Sequence, residues 1–477
     1  MGMSLSVVLR VKLSNRPGTL AGVLNAIARE GGSVGAIELV SASPSEVVRD
    51  VMVRLHDKNS LGGLVRALRE LRGVSVIHVA DRVFMRHLGG KIEVQPKKPV
   101  SDWDDLSLVY TPGVAGICEA ISRQPDLAYR LTMKGNTVAI ITDGSAVLGL
   151  GNLGPGPALP VMEGKALLFK KFAGIDAIPL CLGVHEPGKI IDAVAALAPS
   201  FGGINLEDIA APKCFEIEEQ LSKMLDIPVF HDDQHGTAIV ALAGLINALK
   251  VVRKNIGDIR VVISGAGAAG VAITKILISA GARDIVVCDS KGAISRDNPP
   301  SDKSKIWLAK NTNEKLEKGS LKEVIAGADV FIGVSGPGLL DRNDVIKMAE
   351  KPVVFALANP DPEVSPEDVY DIAGVIATGR SDYPNQINNA LAFPGVFRGA
   401  LNCHARSIND EMCLAAAHAL AGVIDDRHLS AENIIPSVFN EEVALTVARA
   451  VEEAARQTGI SRDFDLEGGA DLPDLIR

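Results

Sequence analysis

The stretch GAGAAG, Gly265–Gly270, stands between an apolar run, IRVVIS (259–264), and a run with helical periodicity, GVAITKILISAGA (270–282). A second apolar run follows, and it ends in Asp289, about 20 residues beyond the glycines. Glycines between a strand and a helix let backbone N–H groups approach a pyrophosphate at the helix N-terminus. The sequence therefore predicts a strand–turn–helix–strand unit that binds a dinucleotide.

The acid at the end of the second strand indicates which dinucleotide is bound. Asp289 would accept hydrogen bonds from a ribose 2′-hydroxyl and repel a 2′-phosphate, which favours NAD over NADP. Lys291 lies close after Asp289 in the sequence, so the use of NADP is not excluded. The residues expected to contact the pyrophosphate are Gly265, Gly267, Ala268, Ala269 and Gly270.

Further strand-like runs follow at 328–335, 352–359 and 374–379, with helical or polar stretches between them. This alternation predicts a Rossmann-type, doubly wound α/β sheet, in which ligands lie beyond the carboxyl ends of the strands. Ser335 and Asn359 stand at such ends, and Asn388 and Asn389 follow soon after the last strand.

A second stretch, GLGNLG (Gly149–Gly154), matches the same glycine fingerprint but lacks its context. The residues DGSAV intervene between the preceding strand and the glycines, and Pro155, Pro157 and Pro160 are expected to obstruct a helix start. We interpret it as a tight turn that lines the substrate cleft and directs the chain towards Lys165, without contacting a pyrophosphate.

Paired acids follow two other strand-like runs, as Glu207-Asp208 and Asp232-Asp233. Carboxylate oxygens at strand ends are suitable ligands for Mg²⁺ or Mn²⁺. The alternatives to a metal site are that these acids are simply solvated or that they cap the helix that follows Asp233. A zinc pair from His231 and His235 is disfavoured, because a strand runs directly into His231.

Lys165 and Tyr110 are the candidate proton-transfer residues. An apolar surround and a nearby cation would lower the pKa of Lys165 and make it a usable base, whereas most lysines are simply solvated. Tyr110, one of 4 tyrosines, stands against a turn, where a phenol can donate a proton or fill a core.

Residues 5–80 show the order βαββαβ, the ferredoxin-like pattern. Their stretch NRPGTLAGVL (Asn15–Leu24) resembles the ACT domain family, in which the turn at a glycine matching Gly18 often binds a small effector at a dimer interface. A purely structural dimerisation module is the alternative. The polar, proline-containing stretch 85–100 is expected to be a linker.

Composition limits the partners and the compartment. The net charge of −9, without basic clusters, argues against nucleic acid or an anionic membrane as partner. We expect the apolar runs to be too short for the ~18 residues of a membrane span, and the N-terminus lacks a secretory pattern. The 6 cysteines lie apart in apolar contexts, so we expect buried free thiols and a cytoplasmic protein.

Many blocks together resemble malic enzymes of the small bacterial and archaeal form. In family order they are SLVYTPGVA, GLGNLGP, LPVMEGKALLFK, FAGIDAIPLCL, INLEDIAAPKCFEIE, PVFHDDQHGTAIV, the GAGAAG loop, FALANPDPE, ATGRSDYPNQINNALAFPGVFRGAL and IIPSVFN. They cover roughly residues 100–460.

The resemblance implies a role for each matching residue. Tyr110 is the general acid and Lys165 the general base. Asn359 and Asn388, or Asn389, hold the substrate, and Ser335 and Asn359 also lie at the cofactor. The implied metal ligands are Glu207, Asp208 and Asp233, with Asp232 nearby.

The implied reaction is oxidative decarboxylation of (S)-malate to pyruvate and CO₂, with NAD and Mg²⁺ or Mn²⁺, in a homodimer or larger homo-oligomer. The expected division is an ACT-like domain (1–84), a linker (85–100), a substrate and metal domain (101–235), an NAD-binding domain with C-terminal helices (236–460) and a tail (461–477).

One departure concerns the substrate. The large animal and plant enzymes carry a substrate-binding arginine where this chain has Ala146. Two other functions stay open, a two-domain NAD-dependent dehydrogenase that does not decarboxylate and an inactive ACT-based ligand sensor.

Overall fold

The computed structural model describes residues 5–297 and 302–462. The chain divides between Glu93 and Val94 into two compact units. Each unit has a hydrophobic core of its own. The tail expected at 461–477 lies outside the described residues except for its first two positions.

The first unit is an antiparallel sheet with helices on one face, in strand order β2-β3-β1-β4. Every second residue of its central strand is buried against the helices, as the period of a half-buried strand requires. Its elements are β1 Leu5–Ser14, α1 Thr19–Arg29, β2 Ser33–Ala42, β3 Glu46–Leu55, α2 Lys58–Glu70, β4 Val74–Asp81 and α3 Arg82–His87. The predicted βαββαβ order is confirmed, and α3 extends into the first residues of the expected linker.

The second unit begins with a parallel sheet in the order β6-β5-β7-β8. All residues of β5, β7 and β8 are buried, which is typical of a parallel sheet covered on both faces. Its elements are α4 Trp103–Val109, α5 Val114–Arg123, α6 Ala128–Leu131, β5 Thr137–Thr142, α7 Pro155–Ala173, β6 Asp176–Cys181, α8 Pro187–Leu197, β7 Gly203–Leu206, α9 Lys213–Met224 and β8 Val229–His231.

A second sheet follows in the order β11-β10-β9-β12-β13-β14, parallel except for the short edge strand β11. This order confirms the predicted doubly wound sheet. Its elements are α10 Thr237–Val252, β9 Arg260–Ser264, α11 Ala268–Ser279, β10 Asp284–Asp289, β11 Gly292–Ala293, α12 Lys303–Asn311, α13 Leu321–Val324, β12 Val330–Gly333, α14 Arg342–Ile346, β13 Val353–Ala356, β14 Val375–Thr378, α15 Phe393–Asn402, α16 Asp410–Ala421 and α17 Glu442–Gln457.

The helix α10 lies in the large hydrophobic core of the second unit. With the wide helical turn Asp232–Gly236 before it, it forms the one stretch in the described residues that is long and apolar enough to cross a membrane, and 72% of that window is buried inside the protein. The expectation that every apolar run is too short was therefore wrong. The sequence shows a continuous apolar pattern only from Ala238, and the helical turn before α10 lengthens the helical stretch.

The helix α7 corrects the prediction for the residues after GLGNLG. A helix begins at Pro155, directly after Gly154, and continues through Pro160 to Ala173. The first N–H groups of a helix have no partner within the helix, so prolines in the first turn remove no bond and already have the required φ. Pro155 and Pro157 therefore start this helix, and Pro160 lies inside it without ending it.

The cysteines are free thiols, but they are not all buried. Four are buried, Cys181 is partly exposed, and Cys118 on α5 is exposed. The apolar context of Cys118 in the sequence suggested burial, whereas α5 buries none of its residues.

Candidate active site

The four acids predicted as a group lie together because their strands are neighbours. β7 and β8 are parallel, with Leu206 opposite His231 in the register. Glu207 and Asp208 follow β7, while Asp232 and Asp233 follow β8, so both pairs emerge at the same edge of the sheet. The backbone N–H of Asp208 donates to Oδ2 of Asp233 at 2.9 Å. This hydrogen bond joins the acids that follow β7 to the acids that follow β8.

Three of these carboxylates are arranged as a cation site. Glu207, Asp208 and Asp233 each offer an oxygen, and the three oxygens lie within 4.8 Å of one another. Oδ2 of Asp208 is buried and has no hydrogen-bond partner among the residues that the structure describes. Buried oxygen atoms without donors are suitable ligands for a hard divalent cation, so the residues fit Mg²⁺ or Mn²⁺.

The electrostatics of the cluster lead to the same conclusion. Burial raises the pKa of Glu207 to about 7, against the attraction of Lys165. Burial, followed by repulsion from Asp233 and Glu207, raises the pKa of Asp208 to about 8. Burial also raises the pKa values of Asp232 and Asp233 to about 6. A bound cation would remove this repulsion and keep the carboxylates ionised.

Lys165 lies on the buried face of α7 and contacts two of the acids. Its Nζ is 2.8 Å from Oε1 of Glu207 and also contacts Oδ2 of Asp232. The ring centroid of Phe393 lies 4.2 Å from the same nitrogen. Burial acts to lower the pKa of Lys165, but the two carboxylates outweigh it and the pKa is raised. The lowered pKa expected for this lysine beside a cation stays a prediction, and the sequence did not show that two anions contact the lysine.

The two asparagines after β14 have different surroundings. Nδ2 of Asn389 donates to Oδ2 of Asp232 at 2.5 Å, so this residue belongs to the acidic cluster. Asn388 instead accepts the backbone N–H of Ala390 at 2.9 Å and begins a tight turn. Oδ1 of Asp232 is buried without a partner.

The predicted dinucleotide loop joins β9 to α11. Gly265 has a φ of +117°, and a Cβ at this position would lie 2.7 Å from the carbonyl oxygen of Val334. A Cβ at Gly270 would lie 1.8 Å from the oxygen of Gly265. Both positions therefore require glycine, and the loop opens at the N-terminus of α11, where a pyrophosphate is stabilised.

Asp289 ends β10 as predicted, but its carboxylate is already engaged. Nζ of Lys305 lies 2.6 Å from Oδ2, and the backbone N–H of Lys291 donates to Oδ1 at 2.8 Å. Although burial opposes the shift, these contacts hold the pKa of Asp289 below its ordinary value. The sequence pointed to Lys291 as the nearby cation, whereas the ion pair is made by Lys305 on α12.

Three strand-end segments meet near Asn359. A Cβ at Gly379, after β14, would lie 2.5 Å from Nδ2 of Asn359. A Cβ at Gly149 would lie 3.2 Å from the backbone oxygen of Asn359. The adjacent backbone N–H of Leu148 interacts with Asp208. The first glycine loop thus lies between a predicted substrate residue and a predicted metal ligand.

Tyr110 lies apart from these contacts. It follows α4, is 64% exposed, and has no side-chain hydrogen bond within the described part of the chain. Large apolar side chains around it are exposed as well, namely Trp103, Leu108, Val109 and Ile117.

Sequence reasoning missed the side chains that hold the acids in place. The carboxylate of Glu218 on α9 accepts the backbone N–H of His231 and the side chains of Gln234 and His235. The carboxylate of buried Asp143 accepts Ser145 and Lys213, and Ser145 accepts the backbone N–H of Ala210. The stretch INLEDIAAPKCFEIE contained two of these residues, but helical periodicity alone could not show which of its acids face inward.

The fold agrees with comparisons to known proteins. Residues 89–190 match the family "Malic enzyme, N-terminal domain", residues 234–456 match "Malic enzyme, NAD binding domain", and residues 7–73 match "ACT domain". The chain is 54% identical over 468 residues to the NAD-dependent malic enzyme of Geobacillus stearothermophilus, which covers 98% of both chains.

Other relatives match the second unit. The bifunctional malic/malolactic enzyme of Bacillus subtilis is 56% identical over 375 residues, which are 78% of this chain and 92% of that one. The crystal structure of a malic enzyme from Pyrococcus horikoshii has a TM-score of 0.76 and 51% identity, covering 78% of this chain and 88% of that one.

Proposed function

Because the chain belongs to the malic enzyme family and catalyses the NAD-linked oxidative decarboxylation of malate, we propose that the acidic cluster around Lys165 is its catalytic centre. The observation that carries this assignment is the buried contact of Lys165 with Glu207 and Asp232, beside three carboxylates arranged for a cation.

Lys165 is the base for the C2 hydroxyl of malate. Its ammonium is held by two carboxylates, so it must release a proton before it can accept one. Asp232 is the partner for that proton, because it contacts Nζ and lies outside the three closely spaced ligands. Nδ2 of Asn389 fixes the orientation of the Asp232 carboxylate, which keeps the path from substrate to lysine to acid in place.

Glu207, Asp208 and Asp233 are the proposed ligands of Mg²⁺ or Mn²⁺. The cation supplies polarisation of the 2-oxo acid carbonyl and stabilisation of enolate charge as CO₂ leaves. Glu207 and Asp208 are buried, whereas Asp233 is partly exposed. Asn359, with Asn388 or Asn389, is proposed to orient malate.

The GAGAAG loop, with Ser335 and Asp289, is the proposed NAD site. NAD held there would supply the hydride acceptor for C2 of malate. The ion pair between Asp289 and Lys305 weakens the repulsion that an acid at this position would exert on a 2′-phosphate, so some use of NADP is expected. Relatives described as NADP-dependent at 48% identity are consistent with this expectation.

Tyr110 is the proposed acid that protonates C3 of the enolate, and its exposure favours a homo-oligomer. α4 and α5 bury none of their residues, and Trp103 is 85% exposed. Exposed apolar side chains in such number typically mark a protein–protein interface. A second copy of the chain placed there would shield Tyr110 from water and give the phenol the enclosed surroundings that proton transfer needs.

The N-terminal unit is proposed to bind a small-molecule effector or to support dimerisation. Gly18, in the stretch that resembles ACT domains, adopts a φ of +89° at the start of α1 and leaves open space where a Cβ would lie. β2 is an edge strand with all residues but Ile37 exposed, and such an edge is suited to pairing with another copy.

The domain limits predicted from the sequence are part of the proposal, with the catalytic unit at 101–460 after a linker at 85–100. The free thiols support a reducing compartment, the cytoplasm.

The test supplies malate, NAD and Mn²⁺ and measures NADH and CO₂ together. Equal amounts of both products are expected. NADH without CO₂ would show a dehydrogenase that does not decarboxylate, and no turnover with intact ligand binding at residues 1–84 would show an inactive sensor. Lys165→Met is expected to lower the formation of both products together, by about 10³-fold.

A further inference from the structure

Glu363 is a fully buried carboxylate that joins two strand-end loops of the second sheet. Its Oε1 accepts the backbone N–H of Ser335 at 2.9 Å, in the loop after β12. Its Oε2 accepts the backbone N–H of Ala358 at 3.1 Å, in the loop after β13. One side chain thus fixes the distance between two loops of neighbouring parallel strands.

Each bridged loop carries a residue of the proposed site. Oγ of Ser335 lies 2.9 Å from Oγ of Ser264, the residue before the glycine loop. Ala358 precedes Asn359, which packs under Gly379. The connection therefore runs from the NAD loop, through Glu363, to the proposed substrate residue.

The space for this carboxylate is reserved by a glycine. A Cβ at Gly333 would lie 2.4 Å from Cδ of Glu363, so any side chain at position 333 would displace the carboxyl group. Backbone bonds position the segment that carries it, from Gly338 to Pro362 and from Leu340 to Glu363 itself, both at 3.0 Å.

The burial of Glu363 is costly for the fold. Within residues 5–297 and 302–462 no lysine, arginine or histidine pairs with it, and its hydrogen bonds come from backbone N–H groups. A buried carboxyl group without a counter-ion is a poor way to stabilise a protein. The effect of this carboxylate is to hold the backbone N–H groups of Ser335 and Ala358 at a defined distance from each other.

We propose that Glu363 is a positioning residue that sets the spacing of Ser335 and Asn359 and so couples the binding of NAD to that of malate. The proposal rests on the function proposed above, which assigns those two residues to the site. Glu363 itself touches neither ligand in this scheme.

The experiment compares Glu363→Gln and Gly333→Ala with Asp329→Asn in the full-length protein. Asp329 is the matched control, because it also accepts a backbone N–H, that of Arg260 at 2.8 Å, but at the opposite end of the same sheet. Three quantities are measured, namely the Kd of NADH, the KM of malate and Tm. Ser335→Ala and Asn359→Ala are measured beside them.

Glu363→Gln and Gly333→Ala are expected to raise both the NADH Kd and the malate KM by roughly tenfold, since each disturbs a charge-assisted bond. The Kd of NADH, measured with and without malate, is expected to differ less in these two variants than in the parent protein. Asp329→Asn is expected to lower Tm while leaving the NADH Kd and malate KM within twofold. If Glu363→Gln does not fold, the NADH Kd and malate KM of Gly333→Ala alone decide whether the proposal stands.

The proposal is overturned if both Glu363→Gln and Gly333→Ala lower Tm but leave the NADH Kd and malate KM unchanged. It is overturned together with the site assignment if Asn359→Ala leaves the malate KM unchanged. If Asn359→Ala raises the malate KM but the Glu363 and Gly333 variants change neither the NADH Kd nor the malate KM, the positioning role of Glu363 is rejected and the assignment of Asn359 to the site stands.

Discussion

Nζ of Lys165 lies 2.8 Å from Oε1 of Glu207, and both side chains are buried. The proposed base and a proposed metal ligand therefore share one ion pair. The contact keeps the lysine protonated and gives Glu207 a counter-ion within the cluster.

Replacing Lys165 by methionine should lower kcat by about 10³-fold, because general base catalysis contributes factors of this order. The substitution also removes the cation that competes for Glu207 and Asp232, so the Kd for Mn²⁺ should stay equal or fall. Steady-state kinetics and Mn²⁺ titration by electron paramagnetic resonance measure the two effects. A kcat within tenfold of the parent would exclude Lys165 as the base.

The stability of the cation-free protein should fall as pH rises from about 5 to 8. The pKa values of Glu207, Asp208 and Asp233 are raised from ordinary values of 3.8–4.5 to about 7, 8 and 6. In this window the folded state binds more protons than the unfolded state, so raising the pH favours unfolding. Mn²⁺ should therefore raise Tm more at pH 8 than at pH 6.

Thermal unfolding with EDTA or Mn²⁺ across this pH range measures the effect. Asp233→Asn should flatten the slope of the cation-free protein, while Asp192→Asn, at an exposed position on α8, should not. A Tm that rises from pH 6 to pH 8 without cation would contradict the prediction.

Lys305→Gln should alter the choice of coenzyme. The lysine pairs with Asp289 at 2.6 Å and offsets its negative charge at the ribose end of the site. Without it, kcat/KM for NADP should fall by roughly tenfold, in line with the strength of charge-assisted bonds, and the value for NAD should change little. Lys303→Gln, two residues earlier on α12, is the control. If kcat/KM falls equally for NAD and NADP, Lys305 has no selective role in the choice of coenzyme.

Trp103→Asp should shift the protein to a smaller species in light scattering after size-exclusion chromatography. The indole is 85% exposed, and a charge there prevents burial against a second copy. If the surface also encloses Tyr110, kcat should fall together with the mass, as in Tyr110→Phe. Unchanged mass and activity would exclude this surface as the interface.

Deletion of residues 1–84 should leave kcat largely intact and change regulation or assembly. A relative from Bacillus subtilis matches 375 residues of this chain over 92% of its own length, so a catalytic unit of about this size exists in the family. The measurements are kcat, mass in solution and the response to small-molecule effectors. Unchanged mass and response would disprove the prediction.

The sequence predicted those features that depend on local patterns. Glycine spacing, strand periodicity and the terminal Asp289 identified the dinucleotide unit, and paired acids after strands identified the cluster. Neither pattern contains information on distant contacts. The ion pairs of Lys165, the pairing of Lys305 with Asp289 and the bridge made by Glu363 join residues far apart in the chain, and only the folded arrangement reveals them.

The prolines after Gly154 illustrate a different limit. Their effect depends on position within a helix, since proline in the first turn is tolerated and proline further along is costly. The sequence could not establish where the helix began, so the same residues fitted two opposite interpretations.

The start of α7 at Pro155 also restricts how this chain can vary. Lys165 is the tenth residue after Pro155, about 15 Å along a rigid rod, and each added residue would turn it by about 100° around the helix axis. A single insertion between them would remove the lysine from the acids while leaving the helix intact. The number of residues from Pro155 to Lys165 is therefore as tightly constrained as the identity of the lysine itself.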